Sequence, residues 1–75
     1  MYMIETSDDN VIRHVYSTKA RAMTAAEVLA RDILADEPDE QYMLNALEDG
    51  FEVIDPIYDP GSSIIAYYVV KCEFN

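Results

Sequence analysis

This chain of 75 residues has one cysteine, one histidine, no tryptophan, two glycines, three prolines and only five basic residues. A lone Cys72 excludes an internal disulfide, and with a single histidine no Cys/His set exists for a structural zinc. A domain this small sits near the lower limit for a self-sufficient core, so its stability must come from packing or from self-association. The longest apolar run, Ile64 to Val70, is far short of the roughly 20 residues that span a bilayer. The opening MYMIETSDDN lacks a basic segment followed by an apolar one, so no secretory signal is expected. One unpaired thiol fits a reducing compartment, and a soluble cytoplasmic protein is the expectation. Catalytic patterns are missing as well. His14 stands beside Arg13 with no acid–nucleophile partner at a recognisable spacing, Ser62 and Ser63 are not in a G-x-S-x-G elbow, and Cys72 reads as a small core or edge residue. Asp55, Asp59 and Gly61 do not follow the spacing of a calcium loop, and Pro56 and Pro60 interrupt them. No enzyme activity, metal or cofactor is expected.

Acid is what the chain has in excess. Fifteen Asp and Glu against five Lys and Arg give a formal charge of −10. The excess is not spread evenly. The stretch from Asp32 to Asp59, DILADEPDEQYMLNALEDGFEVIDPIYD, holds ten carboxylates and no base, while outside it five acids balance five bases. Such a field repels nucleic acid and anionic membranes and attracts basic surfaces. Direct binding to DNA or RNA is disfavoured. Binding to a basic protein that itself handles nucleic acid remains open.

The pattern of residues predicts a single domain, 1–75, of α+β class. Met1 to Thr6 and Val11 to Tyr16 suit strands, and Ser7-Asp8-Asp9-Asn10 between them is a run of turn formers, which suggests a hairpin. Thr24-Ala25-Ala26-Glu27 matches a capping box opening a helix to about Ala35, although TKARAM before it also favours helix and allows a start near Thr18. Ala26, Leu29, Ala30 and Ile33 share one face of that helix. Asp36 to Glu40, with Pro38, predicts a break and a second helix bearing Met43, Leu44 and Leu47, closed by Gly50. Phe51 to Tyr58 then reads as an edge or bulged strand because Pro56 cannot donate to a ladder. Asp59-Pro60-Gly61-Ser62 reads as a turn, and Ser63 to Phe74 as a central strand, apolar on both faces through Val70. The expected architecture is a two-layer sandwich in the order ββααββ: an antiparallel sheet of three or four strands with two helices on one face.

Within that frame Asp36, Glu37, Asp39 and Glu40 are explained as caps of the second helix, whereas Glu48 and Asp49 fall at its negative end, where they are least explained by folding. Those six, with Glu52 and Asp55, are the expected partner-binding residues, acting as acceptors for Lys and Arg. Tyr67 and Tyr68, adjacent on a strand, must face opposite sides. An exposed Ile65/Tyr67/Val69 stripe would make a dimer face or a partner site. A bland reading stands beside each: a charge run that only aids solubility, and a sheet face partly covered in a monomer.

A short acidic chain with an N-terminal hairpin, an Ala-rich capped helix (TAAEVLARDIL) and returning C-terminal strands resembles the small phage-encoded inhibitors, the anti-CRISPR and DNA-mimic anti-defence proteins. The resemblance covers the plan of the chain and assigns no residue a role. It implies a stoichiometric inhibitor, in the cytoplasm of a host cell, that blocks a basic nucleic-acid-binding surface of a defence protein. A structural or regulatory module, homodimeric through its outer sheet face, is the alternative.

Overall fold

The computed structural model describes residues 1–8, 11–57 and 59–72. Five strands and one helix follow in the order β1 (Tyr2–Thr6), β2 (Val11–Tyr16), α1 (Lys19–Asp36), β3 (Met43–Leu47), β4 (Gly50–Asp55) and β5 (Asp59–Lys71). The strands form one antiparallel sheet in the spatial order β2-β1-β5-β4-β3. The long apolar strand β5 lies at its centre, between β1 and β4. The open edges are β2 and β3. The α+β class holds, but the ββααββ order with two helices does not: α1 is the single helix among the described residues, and the expected second helix is a hairpin.

Helix α1 starts at the earlier of the two possible caps. Thr18 is extended and its hydroxyl accepts from the Arg21 amide at 3.1 Å, one of the donors a helix start leaves unpaired. Thr24 lies one turn inside, where its hydroxyl donates to the Ala20 carbonyl at 3.0 Å. The helix ends at Asp36 because Pro38 disfavours helical backbone at the residue before it, and Glu37 leaves the helical region. Ala22, Ala26 and Ala30 recur every four residues on the buried face. Having only methyl groups there, the helix settles close to β4 and β5, against which it mainly packs.

The segment expected as a second helix has helical spacing at Met43, Leu44 and Leu47. Met43 to Leu47 pairs with β4 instead, Leu44 opposite the buried Val53, around the two-residue turn Glu48-Asp49. As a strand, Met43 to Leu47 gains a backbone ladder with β4 and sets Leu44, half-buried, against the core. Gly50, read from sequence as a helix stop, has another task. A Cβ there would lie 2.0 Å from the Tyr67 carbonyl oxygen of β5. β4 is thus an interior strand and not an edge, but its register against β5 shifts between Val53 and Asp55, in keeping with the bulged alternative, and it ends at Asp55 before Pro56. The β4–β5 connection comes at Pro56 and Ile57, earlier than Asp59 to Ser62, and the Asp55 carboxylate accepts from the Ile57 amide at 3.1 Å. Tyr58 lies outside the described residues.

Strand alternation sorts the side chains. Ile4, Val53, Tyr67 and Val69 form the core with the three helix alanines, and Tyr2, Phe51, Leu44, Ile65, Leu29 and Ile33 close around it. Among the described residues, Ile4 and Val53 are the large side chains removed fully from solvent. The core has one sheet face and one helix. The other sheet face has no layer over it among the described residues.

Candidate functional site

The acidic stretch does not form one surface. Asp36, Glu37, Asp39 and Glu40 are all exposed and lie together at the C-terminal end of α1. Asp49 lies at the other end, where it forms an ion pair with Lys19, the first helical residue. Seventeen residue steps along the helix separate Lys19 from Asp36, about 25 Å at helical rise. Glu52 is half-buried on the uncovered sheet face, its carboxylate accepting from the Asn45 amide at 2.8 Å. Asp55 is 7% exposed, and its carboxylate accepts from the Ile57 amide in the β4–β5 connection.

With the second helix gone, the energetic accounts of the acids exchange places. Asp36 and Glu37 are not caps of a following helix. They occupy the negative end of α1, whose last turn carries no basic residue. Charges of that sign there are unfavourable by a few tenths of a kcal/mol or more each. Glu48 and Asp49 become a hairpin turn facing the positive end of the helix, whose first turn has no acid of its own. The hydrogen bond to Asp49 and its charge hold the Lys19 pKa above its ordinary 10.5, with a smaller contribution from Glu48. The Asp49 carbonyl also accepts from the Val69 amide at 2.7 Å. Folding accounts for Glu48 and Asp49. It does not account for the cluster at Asp36 to Glu40.

That cluster alters its surroundings. Tyr42, half-buried beside it, has its phenol pKa raised by burial first and then by the charges of Glu40, Glu37 and Asp55.

The second surface is the uncovered sheet face. The expected stripe Ile65/Tyr67/Val69 is not on it: Tyr67 and Val69 are each 6% exposed in the core, and Ile65 packs against them. Tyr67 lies opposite Thr6 and Phe51, which fixes its parity toward the helix. The residues facing outward are one step removed. Tyr68, Ile64 and Met43 are 41%, 43% and 54% exposed, and Leu47, Ile54, Met3 and Val70 are half-buried. Sequence could have shown that both parities of Ile64 to Val70 are apolar. It could not show which one the helix covers.

Two shallow clefts flank the N-terminal end of the helix. One of about 520 Å³ is lined by Met1, His14, Val15, Tyr16, Ser17 and Arg21, and its neighbour of about 450 Å³ by Tyr16, Ala20, Arg21, Thr24 and Ala25. His14 stacks at a tilt on Tyr16, ring centroids 4.7 Å apart, which gives the imidazole a packing role. Among the described residues no group of three His, Cys, Asp or Glu side chains is placed to hold a metal ion, and no helix is long and apolar enough to cross a membrane. No protein-family model, curated protein or solved structure matches the chain.

Proposed function

We propose that this protein is a non-catalytic binding protein that engages a basic surface on another protein, and inhibits that protein where the surface serves to hold DNA or RNA. The observation that carries the reading is the placement of Asp36, Glu37, Asp39 and Glu40. Asp36 and Glu37 sit at the end of a helix where the backbone field disfavours them, and Asp39 and Glu40 extend the exposed cluster just past it, on a chain of net charge −10. A cluster that opposes the local energetics of the fold calls for a reason outside the fold, and attraction to Lys and Arg supplies one. The field would steer a basic partner into encounter and make association fast and sensitive to salt. Small phage-encoded inhibitors of the anti-CRISPR and DNA-mimic kind, which the chain resembles in plan, would act in this way, in a host cytoplasm where Cys72 stays reduced.

A second reading, a module homodimeric through its outer sheet face, is favoured by the exposure of Met43, Ile64 and Tyr68. Two copies of charge −10 repel each other, which weighs against it. The test of the leading reading is to immobilise the protein, pass host lysate over it, and elute with rising salt. Each eluted protein is then purified and assayed for nucleic-acid binding with and without the acidic protein added. The expected result is a salt-eluted partner that loses DNA or RNA in proportion to inhibitor added. A partner that keeps its nucleic acid, or retention indifferent to salt, would contradict the reading.

A further inference from the structure

The outer sheet face carries a charged group at its middle. Glu52 sits on β4 with Asn45 opposite it on β3 and the fully buried Ala66 opposite on β5. Along β4 its same-face neighbours are Gly50, which has no side chain, and Ile54. Met43 pairs with Ile54, Leu47 pairs with Gly50 and Tyr68 pairs with Gly50 from the other side, while Ile64 lies in the bulge opposite Ile54. A carboxylate is thus ringed by Met43, Ile54, Ile64, Tyr68 and Leu47, over a floor kept low by Ala66 and Gly50. The hydrogen bond it accepts comes from a neutral amide, and no described cation pairs with it.

We propose that this face docks a protein partner through an arginine flanked by apolar residues, with Glu52 as the counter-ion and Tyr68 as the platform for the guanidinium. The site rests on the reading of a basic partner given above and adds where that partner is gripped. Charge complementarity selects the occupant. A second copy would bring carboxylates against carboxylates, Glu5 and Glu52 both being on this face, whereas a planar guanidinium can take both oxygens of Glu52 and lie on an aromatic ring. The apolar ring excludes water around the pair, the arrangement in which a buried charged contact at an interface carries most weight. Asp36 to Glu40 then supply long-range attraction, and the sheet face supplies the contact.

The test is an NMR titration of the labelled protein with the capped tripeptide Leu-Arg-Leu. Analogues with citrulline for arginine, or with glycine for both leucines, serve as controls. The expected result is shifts centred on Asn45, Glu52, Ala66 and Tyr68, with Leu-Arg-Leu binding at least about fivefold more tightly than either control. Glu52→Gln should reduce its affinity to that of the citrulline peptide, and Tyr68→Ser should reduce it too, each with an unchanged amide spectrum elsewhere. Shifts confined to 36–40, with Glu52→Gln silent, would overturn this site while leaving the basic-partner reading in place. An absence of binding by any arginine peptide would overturn both. A concentration-dependent dimer abolished by Tyr68→Ser would assign the face to a second copy and overturn the proposal.

Discussion

The missing side chain at position 50 shows how little room separates β4 from β5. Because a methyl group there would meet the Tyr67 carbonyl, which is backbone and cannot rotate away, Gly50→Ala must push two central strands apart. Overpacking of this kind costs about 1–3 kcal/mol, so urea unfolding should show a loss in that range; a loss under about 0.5 kcal/mol would mean the strands are not so close. Titration gives a second check at this scale. The phenols of Tyr42 and Tyr67 and the ammonium of Lys19 all have pKa values raised on folding, Tyr67 by burial and then by the charges of Asp8 and Asp32. A raised group contributes stability that is fully present below its unfolded pKa, 10.0 for Tyr and 10.5 for Lys, and is lost as pH rises through the folded value. Stability should therefore fall above about pH 10. Tyr67→Phe should flatten that fall; a variant with the same alkaline slope would show that Tyr67 is not responsible for it.

Helix α1 offers two threonines that sequence presents as rival caps, and structure gives them opposite roles. Thr18→Ala removes the acceptor of the Arg21 amide and should cost about 1 kcal/mol. Thr24→Ala replaces a β-branched residue inside the helix and should be neutral or slightly stabilising. Equal losses in thermal unfolding would reject this assignment. The same element shows what could be read from the chain. The alanine face of α1, the first hairpin and the central position of β5 were legible because each is encoded locally, by periodicity or by the length of an apolar run. The β3–β4 hairpin was not, because Met43 to Leu47 satisfies both helical and strand spacing, and the choice rests on Val53 and Tyr67, distant in sequence. The acidic residues of the site were legible by name but not by role. Their roles depend on which end of which helix they meet, and that followed the misread hairpin. The outer face escaped for a narrower reason: Tyr67 and Tyr68 are equally apolar, and register alone decides which is buried.

At the scale of the whole molecule the charge is divided in two. One group, Glu48 and Asp49, complements the start of α1 and ties the second hairpin to it through Lys19. Asp49→Asn should lower stability at low ionic strength, with the difference shrinking as salt screens the pair. The other group works against the fold. Because most of the remaining carboxylates repel one another, the intact protein should become more stable, not less, as salt is raised toward about 0.5 M. The account depends most on the claim that Asp36, Glu37, Asp39 and Glu40 are present for a partner and not for folding. Urea unfolding at low salt of the variant Asp36→Asn/Glu37→Gln/Asp39→Asn/Glu40→Gln, beside the unaltered protein, tests it directly. The account expects the neutralised variant to unfold at higher urea. Unfolding at lower urea would show that these carboxylates serve the fold itself, and would contradict the account.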